Sequence, residues 1–272
     1  MTRLSFLIIL LVSLGGLPGR AESVRIDAAG VLRRAFDLIY GSDQIRIAKV
    51  TVKNAVGDTL FFTVQLASKS INGHLHTYGL FTEPPRLRNM AILTIEADDR
   101  IDDHFLYLPA SGRVRRISSA QRSDTFMGTD LTYEDFERRH ESDYQVESVR
   151  MSTSQNEPTY EIRATPRYRS GVNHIVFHIA TRDYAILEVQ SFKRGAERPF
   201  RVLRAPRESM VRISGKVLPT KIIVENLARR TVTEVAFEQL RIVDTLSDSL
   251  FSSKNLALRR QVPGLIREYQ AK

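Results

Sequence analysis

The sequence predicts a mainly β protein: an antiparallel meander that closes toward a barrel or a sandwich, with helices at its edges. Three observations carry that prediction. Short runs of alternating apolar and polar residues recur along the chain at a spacing of about ten residues. Turn-forming pairs punctuate them: Asn72-Gly73, Pro84-Pro85, Ser111-Gly112, Ser170-Gly171, Arg194-Gly195 and Ser214-Gly215. No internal repeat, low-complexity linker or break in composition divides the chain, so residues 22–272 read as one domain.

The first 21 residues read as an address. Arg3 supplies a basic start, residues 4–14 are apolar apart from Ser5 and Ser13, and Gly15, Gly16 and Pro18 interrupt the helix. Gly19 and Ala21 then place small residues at −3 and −1, the pattern of a secretory signal peptide cleaved after Ala21. A retained anchor fits less well: a span needs roughly 20 apolar residues, and only 16 separate Arg3 from Arg20. The expected mature protein is exported and soluble. Glu22 stands where a lipoprotein would carry its acylated cysteine.

Residues 26–40 follow as an amphipathic helix. Val31, Leu32, Ala35, Phe36 and Ile39 recur at helical spacing, Arg33, Arg34 and Asp37 fall mostly on the other side, and Gly41 ends it. Strands are expected next, at roughly 45–53, 60–66, 74–82, 89–97, 104–108 and 113–118. In the second of these Leu60, Phe62, Val64 and Leu66 share a face. In the first, the apolar set changes phase from Ile45 and Ile47 to Ala48, Val50 and Val52, which suggests a bulge. Residues 118–144 break the pattern. This polar stretch carries Phe126, Met127 and Gly128, then Leu131, Tyr133 and Phe136 after a capping residue at Asp130 or Thr132, and reads as a lid or insertion with a short helix. Strands resume at 143–151, 160–165, 175–179, 184–193, 198–204, 219–226 and 231–242. A helical stretch, residues 252–269, ends the chain, interrupted at Pro263-Gly264.

The chain has 272 residues, no Cys, and 40 Lys+Arg against 31 Asp+Glu, a net charge of +9. Loss of Arg3 and Arg20 with the leader lowers this to +7. Zero cysteine excludes a disulfide scaffold, a Cys-ligated zinc or iron–sulfur site, a thiol nucleophile and a lipid-modified cysteine. The arginines are scattered, which suits a solvated surface. An exported chain has little occasion to meet nucleic acid, so anionic lipid is the better partner for the excess charge.

The search for catalysis is negative. The mature chain has no G-x-S-x-G, H-E-x-x-H, P-loop or G-x-G-x-x-G motif. His74 and His76 share a strand face, but a metal site needs three or four ligands. Asp98, Asp99, Asp102, Asp103 and His104 around Arg100 lack EF-hand spacing and read as a solvated turn. An exported hydrolase would have only Ser42-Asp43 and the histidine pair to work with. No enzyme, metal or cofactor is expected. Two groups are candidates for binding. Arg113, Arg115, Arg116 and Arg122 form the densest basic patch, suited to lipid phosphates or an acidic partner, or else an ordinary charged strand. Phe126, Met127, Leu131, Tyr133 and Phe136, with Phe62 and Val64 on the neighbouring strand, either line a cavity for an apolar ligand or are core contacts of a short helix.

Several of these stretches together resemble a known family. They are residues 105–117 (FLYLPASGRVRRI), 124–130 (DTFMGTD), 131–136 (LTYEDF), 215–226 (GKVLPTKIIVEN) and 231–235 (TVTEV), with Phe251 and Leu256 beyond. The resemblance is to the LolA-like outer membrane lipoprotein-sorting proteins of the Gram-negative periplasm and spans roughly residues 30–258. It implies an incomplete antiparallel barrel around an apolar cavity, with helices as a lid. It also implies a non-catalytic carrier that takes an acyl chain of a lipoprotein or phospholipid toward the outer membrane, touches membranes transiently and works beside an RND-type inner-membrane transporter. An adaptor of such a transporter that carries no cargo is the alternative.

Overall fold

The computed structural model describes residues 26–98, 102–168 and 170–265. The leader and its cleavage site, and the far end of the expected C-terminal helix, lie outside them. The first described element is α1 (Ala28–Tyr40). The Asp27 carboxylate accepts from the Gly30 N–H at 3.0 Å to start it, and the Gly41 N–H donates to the Asp37 carbonyl to end it. Its buried side is Ala28, Val31, Leu32, Ala35 and Phe36, as the spacing predicted.

Six strands follow as a meander: β1 (Gln44–Lys53), β2 (Thr59–Ile71), β3 (His74–Glu83), β4 (Ala91–Ile95), β5 (Asp103–Leu108) and β6 (Arg113–Ile117). Residues 118–143 then leave the sheet. Nine more strands return: β7 (Tyr144–Ser154), β8 (Glu157–Pro166), β9 (His174–Ala180), β10 (Ile186–Phe192), β11 (Arg201–Arg204), a side hairpin of β12 (Met210–Ile213) and β13 (Lys216–Pro219), β14 (Lys221–Asn226) and β15 (Thr231–Ile242). The main sheet has 13 strands in the order β6-β5-β4-β3-β2-β1-β15-β14-β11-β10-β9-β8-β7, antiparallel throughout. The first and last strands therefore meet in the middle, and β6 and β7 are the two free edges of an open barrel.

The concave face holds two apolar groups. Phe62, Val64, Phe81, Ile92, Val50 and Val235 gather under Phe126 and Leu131 of the crossing segment. Ile162, Ala164, Ile175 and Phe177 of β8 and β9 pack against α1, where the Phe36 ring meets Phe177 edge-on at 6.0 Å. The convex face of β1–β5 is also covered. Ile45, Ile47, Tyr78, Leu80 and Leu93 pack against Leu250, Phe251, Leu256, Val262 and Leu265 of the C-terminal segment.

This double burial corrects the reading of β1. Its pairing with β2 is regular from Gln44 to Lys53, so the strand itself is unbroken. Ile45 and Ile47 face the C-terminal segment, and Ala48, Val50 and Val52 face the cavity side. A bulge is present at this place but belongs to β15: Ile45 pairs with Arg241 and Ile47 with Glu238, so Gln239 and Leu240 share the room opposite one residue, Arg46.

Two expected helices are also revised. In the crossing segment only short 3-10 turns form, at Ser119–Gln121, Tyr133–Phe136 and Glu141–Asp143. The C-terminal segment has 3-10 turns at Asp248–Phe251 and Ser253–Leu258 rather than an α-helix. Both stretches are held by packing and side-chain bonds at each turn, which leaves no run of residues free to extend a regular helix. Among the described residues no helix is long and apolar enough to cross a membrane.

Candidate functional site

An apolar cavity of about 340 Å³ lies between the concave face, α1 and the crossing segment. The sheet supplies Ala48 and Val50 from β1, Phe62, Val64 and Leu66 from β2, and Phe81 from β3, while α1 adds Phe36, Ile39 and Tyr40. Alternation puts these strand residues inward. The open edge between β6 and β7 leaves the space unfilled by a facing strand.

The crossing segment roofs this space and is fastened by carboxylates. At its tip residues 125–132 form a tight hairpin, with the Phe126 N–H donating to the Leu131 carbonyl at 2.7 Å. The turn needs left-handed backbone at Met127 and Gly128. The buried Asp130 carboxylate accepts from the hydroxyls of Thr231 and Thr233 on β15, the second at 2.8 Å. Asp135 makes a two-point ion pair with Arg201 of β11, at 2.6 and 2.9 Å. Glu137 accepts from His104 of β5 at 3.1 Å, from Arg139 at 3.1 Å and from Arg122 Nε at 2.7 Å. Burial pushes the Glu137 carboxyl up, but these bonds and charges outweigh it and hold it at about 2.

The structure separates the residues singled out in the sequence. Phe62, Val64, Phe126, Leu131 and Phe136 all line the cavity. Met127 and Tyr133 pack around the roof instead, with the Tyr133 ring edge-on to Phe126 at 5.5 Å. Arg113, Arg115 and Arg116 are exposed on the edge strand β6. Arg122 does not join them: it is 5% exposed, and its guanidinium is committed to Glu137. A surface role for it is thereby corrected, since a buried Arg–Glu pair has no free face for a head group. His74 stands 3.4 Å from Asp98, and His76 meets the Phe251 ring edge-on. No group of three metal-ligating side chains occurs among the described residues.

Polar cavity residues went unread in the sequence. Arg46, Arg139, Glu134, Tyr40, Tyr144 and Tyr168 all line the space. Arg139 lies over the Tyr168 ring at 4.8 Å and bonds Glu137. Burial raises the Glu134 carboxyl, and one of its oxygens has no hydrogen-bond partner. The inward row of Ala48, Val50 and Val52 extends to Arg46 by alternation, so this one residue was legible.

A family model described as "Uncharacterized protein" matches residues 73–257. The chain belongs to that family. Three solved structures share its architecture. A DUF1329 family protein from Desulfovibrio piger is 22% identical, with a TM-score of 0.77 over 84% of this chain and 98% of that one. A putative outer membrane lipoprotein-sorting protein domain from Vibrio parahaemolyticus is 22% identical, with a TM-score of 0.74 over 82% and 98%. A LolA superfamily protein from Nitrosomonas europaea is 19% identical, with a TM-score of 0.66 over 84% and 98%. The fold is thus LolA-like, as the sequence resemblance implied. A search of curated proteins finds no match.

Proposed function

We propose that the protein is a periplasmic carrier that holds an acyl chain of a lipoprotein or phospholipid in the open barrel and delivers it toward the outer membrane. The cavity carries this reading: an apolar hollow of about 340 Å³, walled by a continuous sheet and roofed by a segment outside it. Each buried methylene gains about 0.8 kcal/mol, so a chain of moderate length would be retained without chemistry. The reading is non-catalytic. Export rests on the leader pattern, and the partnership with an RND-type transporter rests on the sequence resemblance alone. An adaptor carrying no cargo would have no use for an unfilled hollow, which favours the carrier.

Organic extraction and mass spectrometry of the purified protein should recover acyl lipids, and a fluorescent fatty-acyl probe should bind. Ala48 is buried and faces the hollow. Ala48→Phe should fill it and abolish probe binding while the circular-dichroism spectrum stays that of a β protein. Unchanged probe binding in Ala48→Phe, or an absence of lipid with no probe uptake, would refute the carrier.

A further inference from the structure

Arg46 occupies an inward position of β1, between Gln44 and the apolar Ala48, Val50 and Val52 of the same row, on a strand paired with β2 on one side and β15 on the other. Its guanidinium stacks over the Phe237 ring, 4.9 Å from the centroid. One amino group, Nη1, donates to Gln44 Oε1 at 3.1 Å, and Gln44 is itself held by the Ile39 carbonyl at 2.8 Å. The Nε atom is buried and has no hydrogen-bond partner. No carboxylate among the described residues lies within ion-pair range of Arg46. The other two cavity arginines differ: Arg201 is paired with Asp135 and Arg139 with Glu137.

Arg46 is half-buried, and a guanidinium with its Nε enclosed and unmet and no countercharge beside it is costly unless an anion from outside the chain balances it. Burial lowers its pKa only to about 10, so it stays charged at neutral pH. The architecture spends structure on keeping it there. The β15 bulge at Gln239 and Leu240 makes room opposite Arg46, with Gln239 in the left-handed region at φ 51°. Ring stacking on one face, Gln44 held at Nη1 and an enclosed Nε leave Nη2 as the donor that an oxyanion in the cavity can reach.

We propose that Arg46 receives the oxyanion of an acidic single-headed lipid, a carboxylate or a phosphate monoester, whose acyl chain fills the hollow. This rests on the carrier reading and adds the head-group class to it. Cargo then enters head first, with its charge deep at the seam and its tail along Ala48, Val50 and Phe62.

The test compares three probes of one chain length on the mature protein: a fluorescent fatty acid, its methyl ester and the corresponding monoalkyl phosphate. Wild type should bind at least one of the anionic probes about 10-fold or more tighter than the ester. Acid and phosphate, measured side by side, show which oxyanion is preferred. Arg46→Gln should bind all three as the wild type binds the ester, which also shows that the variant is folded. Arg46→Lys should keep part of the preference. Equal affinity for all three in wild type, or a preference that survives in Arg46→Gln, would overturn the head-group assignment and leave the carrier standing. Failure of every probe to bind wild type would overturn both.

Discussion

Glu137 is the residue on which the roof depends. It is 2% exposed and takes bonds from His104, Arg122 and Arg139 at once. Burial acts to raise its carboxyl, yet the donors hold it near 2. A carboxyl depressed on folding adds stability that is complete above its unfolded pKa, about 4.3, and is lost as pH falls through the folded value. The roof should therefore loosen in strong acid and be unaffected between pH 5 and 8. Glu137→Gln should cost about 3–5 kcal/mol at neutral pH, because it leaves buried guanidinium charge unbalanced. Urea denaturation should show that gap closing between about pH 4 and pH 2. A gap constant with pH would mean that the ion pairs add no stability. At this scale the sequence was partly legible. It picked out Phe126, Leu131 and Phe136, which do face the hollow. It misplaced Arg122, because residue type says nothing of which way a side chain points in a segment with no regular period.

The strands were the most legible elements, since alternation and turn pairs mark them directly. The exceptions have one cause. Strands β1 to β5 are covered on both faces, so their apolar residues run through both phases and alternation blurs. The C-terminal segment supplies the convex cover: Leu256, Val262 and Leu265, within the stretch 252–269 that reads as helical, are buried against the sheet instead. The two faces should be energetically separable. Leu256 is fully buried on the convex side. Leu256→Ala should lower stability by about 2–5 kcal/mol and leave acyl-probe affinity unchanged. A parallel loss of affinity would show that the two faces are coupled through the sheet.

Across the whole molecule, charge sits where the sheet is open. Arg113, Arg115 and Arg116 cover the β6 edge, and Glu147 and Arg150 stand on β7 with Arg163 and Glu161 opposite them. Charged edges resist pairing with a second sheet, and on β6 the charge is of one sign. That edge should bring the open side of the barrel to anionic bilayers. Replacing Arg113, Arg115 and Arg116 by serine should weaken binding to phosphatidylglycerol vesicles about 100-fold at low salt, at about 1 kcal/mol per arginine, and leave binding to neutral vesicles unchanged. Undiminished binding of the variant to phosphatidylglycerol vesicles would end that reading. The central seam has a consequence of another kind. Val50 lies opposite Val235, and Gln44 opposite Ile242. Each half-sheet is a local meander that can form early, but the join between them is among the most distant contacts in the chain and its closure is entropically slow. A chain whose first described strand must wait for β15 stays unfinished until that strand has been made. Such a polypeptide remains threadable for longer than one built of self-contained units.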